Sequence, residues 1–152
     1  MNERIVIREV TPHDAAKITS IYNPYVTETV ITFEEIPVTI AEMQSRIENL
    51  LNSGFPYIAA EKDNQMIGYA YAGQWRARSA YRHTVETSIY LAQENTGHGV
   101  GTILYKELLE RLKRMEIHVV LGGITLPNPV SMQLHEKLGF TKVAHFNEAG
   151  YK

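Results

Sequence analysis

A glycine-rich hexamer, TGHGVG at residues 96–101, constrains this chain more than any other segment. It joins an apolar run with strand character at residues 85–91 to an amphipathic, helix-like run at residues 103–112. Glycine has no Cβ, so the backbone of this turn can adopt positive φ and lie directly against a ligand. The first amides of a helix lack intrahelical partners and lie at the positive end of its dipole. The hexamer is therefore a candidate pyrophosphate cradle, although a plain tight turn would also use glycine.

Two common nucleotide motifs fit this hexamer poorly. A Walker loop ends in Gly-Lys-Ser/Thr, and the hexamer contains no lysine. A dinucleotide fingerprint lies near the start of a βαβ unit and is followed by an acidic residue about 20 positions later. Here the loop lies two-thirds along the chain, and the next apolar run, residues 119–124, ends in Thr-Leu-Pro. Both nucleotide interpretations are therefore weakened.

The whole-chain properties narrow the class of protein further. The 152 residues contain no cysteine, which excludes disulfides, thiolate nucleophiles and cysteine-ligated metals. A net charge of −2 without a Lys/Arg cluster argues against a nucleic-acid partner. No apolar run approaches the roughly 20 residues of a membrane span, and the N-terminus has no signal-peptide pattern. We expect one domain over residues 1–152, in the cytoplasm, without a membrane partner or a metal.

Hydrophobic periodicity and capping signals predict the order β, α, α, β, β, β, α, β, α, β. Thr11 and Thr39 are predicted to cap the first two helices, and the first helix is expected to be disturbed at Asn23-Pro24. The predicted strands are residues 4–9, 55–61, 66–74, 84–91 and 119–124, and a last one through Val143. The later helices are predicted to end near Met115 and to span residues 129–138. This order indicates a mixed α/β (α+β) fold, a sheet flanked by helices.

Seven segments in this order resemble the GNAT acetyltransferase superfamily. Within it they are most similar to phosphinothricin N-acetyltransferases and the related methionine sulfoximine acetyltransferases. The segments are IYN at 21–23, TFE at 32–34, GYAYA at 68–72, WRARSAY at 75–81, TVE at 84–86, LPN at 126–128 and LHEKLGF at 134–140. The resemblance implies a mostly antiparallel GNAT sheet, acetyl-CoA as co-substrate, a small amino-acid-like acceptor and a homodimer. Family chains usually continue past residue 152 into a further strand, so the resemblance implies either a truncated sequence or the absence of that strand and of part of a dimer interface.

The resemblance also implies catalytic residues. It places the general base at Glu86, acting through water, to neutralise the acceptor amine. Glu86 stands in an apolar strand, so burial is expected to raise its pKa; an exposed strand glutamate is the alternative. The resemblance assigns His135 an acid–base part toward the departing thiolate, and the alternative is a helix histidine packed in the core.

Cofactor contacts are expected to be mostly backbone. The resemblance implies that Ile89, Tyr90 and Leu91 pair with the pantetheine amides like an added strand. The pyrophosphate is expected at the amides of the glycine loop, with two further polar side chains nearby. The loop and side-chain candidates are Thr96, Gly97, His98, Gly99, Val100, Gly101, Thr102, Asn128 and Ser131. Thr96 stands where the superfamily usually has Gln or Arg, and Asn128 between two prolines would be a good turn residue in any protein.

The acceptor pocket is implied to come from three segments that carry aromatic and charged residues. Arg78 is the first candidate for the acceptor's carboxylate, because the guanidinium fork binds such groups in a bidentate manner. A basic surface loop is the alternative for this segment, and its aromatic residues could instead belong to a core or a dimer interface. The candidates are Phe33, Glu34, Trp75, Arg76, Arg78, Tyr81 and Thr84.

Three functions remain open at this stage. The first is N-acetylation of a small amino acid or of a toxic analogue. The second is acetylation of protein N-termini, which would need an open groove. The third is a module that binds acetyl-CoA without turnover.

Overall fold

The computed structural model describes residues 4–152. Four helices and five strands form in the order β, α, α, β, β, β, α, β, α. The strands are β1 (Val6–Glu9), β2 (Tyr57–Lys62), β3 (Gln65–Gln74), β4 (Thr84–Leu91) and β5 (Val119–Gly122). The helices are α1 (Ala15–Glu28), α2 (Ile40–Asn52), α3 (Val100–Arg114) and α4 (Pro129–Lys137). The predicted order of these nine elements is confirmed.

The strands form one sheet in sequence order, β1 to β5. Neighbouring strands are antiparallel, apart from the parallel pair of β4 and β5. Asp63 and Asn64 both adopt positive φ at the β2–β3 turn, the conformation that two-residue hairpin turns require. The mixed, mostly antiparallel sheet is as expected.

Helices pack on both faces of the sheet and divide the core in two. One apolar cluster joins α1 and α2 to the face that carries Tyr57, Ala59 and Tyr69. The other joins α3 to the face that carries Ile58, Ala70 and Val85. Successive strand residues point to opposite faces, so neighbours in sequence such as Tyr57 and Ile58 enter different clusters.

The two predicted helix starts have a capping structure. The backbone N–H of Thr11 donates to Asp14 Oδ2 at 2.8 Å, and a single 3₁₀ turn (Pro12–Asp14) leads into α1. Thr39 Oγ1 accepts from the backbone N–H of Glu42 at 3.1 Å at the start of α2. The caps fix where these helices begin because they satisfy otherwise unpaired amides.

Helix α1 continues through Pro24, where a disturbance is predicted, to Glu28. Two expectations about the elements are wrong. Strand β5 ends at Gly122, two residues early. No strand includes Val143 in the described part of the chain: residues 140–152 lie outside helices and strands, and Val143 is 81% exposed. A strand forms only where a neighbour accepts its hydrogen bonds and a face buries its side chains, and residues 141–151 are exposed and pair with no strand of the described chain.

Within residues 4–152, no helix combines the length and apolar character needed to cross a bilayer.

Candidate active site

The sheet separates between β4 and β5. Their parallel pairing runs from Thr84 opposite Val119 to Thr87 opposite Gly122, where β5 ends. Strand β4 continues to Leu91, paired only with β3 on its other side. Residues 88–91 therefore have no strand partner on this side in the described chain, although the Leu91 carbonyl accepts a hydrogen bond from the Tyr25 hydroxyl. The rest of this edge can accept the amides of an extended ligand like an added strand.

The glycine loop lies directly beyond this edge. Gly97 and Gly99 have φ values of 78° and 80°, and α3 begins at Val100. A Cβ placed on either glycine would meet no atom within 4 Å, so open space faces the loop at both positions. The free amides at the start of α3 add the positive end of a helix dipole to this space. A pyrophosphate group fits such a cradle.

Other predicted loop residues differ in how they can contribute. The side chain of Val100 is buried, so only its backbone can meet a ligand. A Cβ on Gly101 would lie 3.4 Å from Leu134 and 3.6 Å from Leu91, so this glycine permits close packing of α3. Thr96 Oγ1 donates to the carbonyl of Gln93 within the loop at 2.9 Å. His98 is exposed, and Thr102 is partly exposed.

Asn128 and Ser131 lie at the start of α4. Asn128 Oδ1 accepts from the backbone N–H of Ser131 at 3.1 Å and caps the helix, as its position between two prolines suggested. Ser131 is partly buried, and its carbonyl accepts a hydrogen bond from His135.

Glu86 is exposed, contrary to the expectation that its apolar strand would bury it. Its neighbours Val85 and Thr87 are buried on the α3 face, whereas Glu86 points to the opposite face. It stands opposite Gly73 of β3 and Leu121 of β5, just before the strands separate. A Cβ on Gly123 would lie 3.3 Å from its Oε1. The carboxylate is accessible to an acceptor beside the open edge.

His135 is buried, with both ring nitrogens in hydrogen bonds. Its Nδ1 lies 2.8 Å from the carbonyl of Ser131, to which only a protonated nitrogen can donate. Nε2 lies 3.1 Å from the hydroxyl of Tyr105, which also bonds Thr87 Oγ1 at 2.5 Å. In the neutral ring, Tyr105 therefore donates to Nε2. Thr87 is linked to His135 through Tyr105, and it follows Glu86 on β4. Because successive strand side chains point to opposite faces, the two predicted catalytic side chains, Glu86 and His135, lie on opposite faces of the sheet.

The predicted acceptor loop lies over the start of β4. The backbone N–H of Trp75 donates to the carbonyl of Thr84 at 3.3 Å. The Trp75 ring contacts Tyr81 edge-on at 5.2 Å between centroids, and the Arg76 guanidinium covers it at 4.4 Å. Arg78 is exposed and has no ion-pair partner among residues 4–152, so its guanidinium is available to an anion.

Phe33 and Glu34 belong to the segment between α1 and α2. Phe33 is 54% exposed, and a Cβ on Gly150 would collide with its ring. Glu34 accepts two hydrogen bonds from Arg46, at 2.6 and 3.0 Å, and another from the Tyr22 hydroxyl. The Arg46 hydrogen bonds lower the pKa of Glu34, and burial raises the pKa of Tyr22 to about 12. The Glu34 carboxylate is thus already bound within the protein.

A cavity of about 270 Å³ lies between α2 and the sheet, on the face that carries Glu86. No sequence pattern pointed to its helix residues, although tyrosines alternate in β3, at positions 69 and 71. Its lining residues are Tyr22, Met43, Arg46, Asn49, Leu50, Tyr57, Tyr69 and Tyr71. No cluster of three or more His, Asp or Glu side chains that could hold a metal occurs in the described chain.

Comparison with known proteins agrees with this geometry. Residues 7–152 match the family model described as Acetyltransferase (GNAT) domain. A phosphinothricin N-acetyltransferase from Alcaligenes faecalis is 36% identical over 96% of this chain and 75% of its own length. An L-methionine sulfoximine/L-methionine sulfone acetyltransferase from Pseudomonas aeruginosa is 33% identical over 96% of this chain and 86% of its own.

A solved structure shows the same fold with a ligand. It is a GNAT superfamily phosphinothricin acetyltransferase from Sinorhizobium meliloti in complex with acetyl-CoA. The two proteins superpose with a TM-score of 0.94 at 37% identity, over 97% of this chain and 80% of that one.

Proposed function

This chain belongs to the GNAT acetyltransferase family, and we propose that it acetylates the amino group of a small amino acid or of a toxic analogue of one. It is an acetyl-CoA-dependent N-acetyltransferase, as its family and its relatives are. Phosphinothricin, methionine sulfoximine and methionine sulfone are the candidate acceptors, which makes detoxification the proposed role.

Acetyl-CoA fits the surface formed by the open β4 edge and the glycine loop. The pantetheine amides pair with Ile89, Tyr90 and Leu91, and the pyrophosphate lies at the amides of residues 97–102. Thr96, His98, Asn128 and Ser131 border this path. The open space in front of Gly97 and Gly99 supports the proposal, because a ligand can approach the backbone there without meeting a side chain.

Glu86 is the proposed general base. The α-amino group of an amino acid is protonated near neutral pH and must lose a proton before it can attack the acetyl carbonyl. Glu86 accepts this proton through a water molecule, the amine forms the new C–N bond, and the C–S bond breaks to release CoA thiolate. The Arg78 guanidinium binds the acceptor's carboxylate, with Phe33, Trp75, Arg76, Tyr81 and Thr84 around it.

His135 is proposed to act in protonation of the departing thiolate. Because Tyr105 occupies its Nε2 and Ser131 its Nδ1, it must exchange one of these hydrogen bonds to deliver a proton. We therefore expect a smaller contribution from His135 than from Glu86.

The observation that carries the proposed function is the position of the exposed Glu86 carboxylate immediately before β4 separates from β5. A base and an unpaired strand edge then meet at one point, where an acceptor amine and the acetyl group can be brought together.

Release of free thiol from acetyl-CoA, measured over a panel of acceptors, tests the proposal. The panel contains phosphinothricin, methionine sulfoximine, methionine sulfone, the common amino acids and peptides with free N-termini. Turnover of free amino acids supports the proposal. Turnover of peptides alone would replace it with protein N-terminal acetylation, and acetyl-CoA binding without any turnover would replace it with a sensing module.

We further propose that the chain forms a homodimer in the cytoplasm. Exposed apolar side chains of the segment between α1 and α2, among them Val30, Ile31 and Ile36, offer a surface that a second copy can cover. Sedimentation at micromolar concentration is expected to give about twice the 17.3 kDa mass of the chain. A monomer at high micromolar concentration would contradict the dimer.

A further inference from the structure

Four elements meet at the hydroxyl of Tyr105, on the face of the sheet opposite to Glu86. Thr87 and Gly122 form the last paired position of β4 and β5. The Tyr105 hydroxyl reaches this position from α3 and lies 2.5 Å from Thr87 Oγ1. It also lies 3.1 Å from Nε2 of His135, which comes from α4. The cluster therefore stands where the two strands separate, beside the proposed path of acetyl-CoA.

Gly122 leaves room for the imidazole ring at this point. A Cβ on Gly122 would lie 2.7 Å from His135 Nε2 and 3.5 Å from the Tyr105 hydroxyl, so the ring rests directly against the backbone at the end of β5. Nε2 is the ring nitrogen that faces this end of the strand, because Nδ1 is directed to the carbonyl of Ser131 at 2.8 Å.

The surroundings of the ring offer it no countercharge. The ring contacts Tyr105 and Phe140 edge-on, at 5.1 and 4.9 Å between centroids. His135 is 8% exposed and has no ion-pair partner among residues 4–152, and Glu86 lies on the other face of the sheet. Burial of an unpaired charge is costly, so a protonated ring at this position depends on hydrogen-bond acceptors.

Two hydroxyls can serve the ring in either protonation state, because a hydroxyl both donates and accepts and its hydrogen rotates. Beside the neutral ring, Tyr105 donates to Nε2 and Thr87 donates to the Tyr105 oxygen. Beside the protonated ring, Nε2–H donates to Tyr105, Tyr105 donates to Thr87, and Thr87 donates to the carbonyl of Leu121 at 3.3 Å. Nδ1–H keeps its bond to Ser131 throughout. The change of state needs only the rotation of two hydroxyl hydrogens, and it breaks no contact between heavy atoms.

We propose that Thr87 and Tyr105 are positioning residues for His135, and that their hydroxyls turn with the ring and allow it to hold the proton that the departing thiolate takes. The inference rests on the proposed function. Nε2 takes this proton from water, and the C–S bond of the acetyl donor breaks to leave CoA thiolate. The thiolate then accepts the proton from Nε2 in exchange for the Tyr105 hydrogen bond. CoA leaves as the thiol, the ring is neutral again, and the hydroxyls turn back.

Thr87→Val is the most selective test. Valine keeps the shape of the side chain and leaves the bond from Tyr105 to the neutral ring intact. It removes only the acceptor that Tyr105 needs when the ring is protonated. We expect kcat to fall about two- to tenfold, the usual effect of one neutral hydrogen bond, with an unchanged dissociation constant for acetyl-CoA. Tyr105→Phe removes both bonds and should lower kcat by at least as much. Steady-state kinetics at pH 7 and calorimetry measure these quantities.

Thr19→Val is the matched control. Thr19 is 7% exposed and Thr87 is 6% exposed, and the Thr19 hydroxyl donates to the carbonyl of Ala15 within α1. The control therefore loses a buried hydrogen bond of the same kind without changing any contact of His135. Its melting temperature should fall, while its kcat should equal the wild-type value.

A double variant separates positioning of His135 from a general structural role. If Tyr105 acts through the imidazole, Tyr105→Phe should change kcat by less than about twofold in a protein that already carries His135→Gln. Equal losses in the two backgrounds would overturn the proposal. Wild-type kcat in folded Thr87→Val and Tyr105→Phe proteins would overturn it as well.

Nuclear magnetic resonance distinguishes failure of this inference from failure of the proposed function. In protein with ¹⁵N-labelled histidine at alkaline pH, we expect a neutral His135 ring that is protonated at Nδ1. Tyr105→Phe, but not Thr19→Val, should move the Nε2 signal toward that of a nitrogen without a hydrogen bond. If no acceptor is acetylated, the proposed function fails, and the spectrum decides whether the hydroxyls hold the ring. Protonation at Nε2, or an Nε2 signal that Tyr105→Phe leaves unchanged, would refute their role.

Discussion

Glu86→Gln is expected to lower the acetylation rate at pH 7 by roughly 10²- to 10⁴-fold, the usual contribution of a general base. Glutamine keeps the shape and hydrogen-bonding capacity of the side chain but cannot accept a proton at this pH. Affinity for acetyl-CoA should change little, because the co-substrate is proposed to bind through the β4 edge and the glycine loop. Steady-state kinetics with the best acceptor of the panel, together with calorimetry for acetyl-CoA, measure both quantities.

The pH dependence distinguishes a missing base from a distorted site. The acceptor's α-amino group has an unperturbed pKa near 8, so above that pH it is neutral without help. The rate defect of Glu86→Gln should therefore shrink as the pH rises, whereas misplacement of the acceptor would lower the rate at every pH. His135→Gln is expected to cause a smaller loss that high pH does not rescue.

Glu110→Gln is the matched control, because this exposed carboxylate lies on α3, outside the proposed site. Its activity should equal that of the wild-type protein. Near-full activity of Glu86→Gln at pH 7 would remove the carboxylate from the mechanism. Positioning of the neutral amine in the Arg78 pocket would then be the main source of catalysis.

Gly99→Val is expected to abolish measurable acetyl-CoA binding. The φ of 80° at Gly99 is in the left-handed region, which a β-branched residue rarely adopts, and the new side chain would enter the open space in front of the loop. Both effects act on the surface where the pyrophosphate is proposed to lie. Calorimetric titration of acetyl-CoA into folded protein provides the measurement.

Gly54→Val separates these two effects. Gly54 closes α2 with a φ of 84°, and a Cβ there would also meet nothing within 4 Å. The Gly54→Val substitution therefore imposes similar backbone strain at a site remote from the loop. It should lower the melting temperature without changing the affinity for acetyl-CoA. Unchanged affinity in a folded Gly99→Val protein would mean that the pyrophosphate binds elsewhere.

Local features of the sequence were enough to place most of the fold. Helix caps at Thr11 and Thr39, alternation in β3 and β4 and the glycines at 97 and 99 depend on residues within a few positions of one another. The same holds for the proposed cofactor cradle, whose geometry is built from consecutive residues between one strand and the next helix. The strand predicted through Val143 did not form, because a strand also requires a neighbour, which a local pattern cannot supply.

The acceptor side of the site was decided by tertiary structure. The apolar sequence around Glu86 suggested burial, but in the folded chain its face of the sheet is open at this point. Glu34 was predicted to contact the acceptor, whereas Arg46, 12 residues away in sequence, binds its carboxylate. The cavity joins tyrosines from α1, β2 and β3 to two polar residues of α2. Sequence periodicity assigned these residues to elements, but only the packing of those elements brought their side chains around one space.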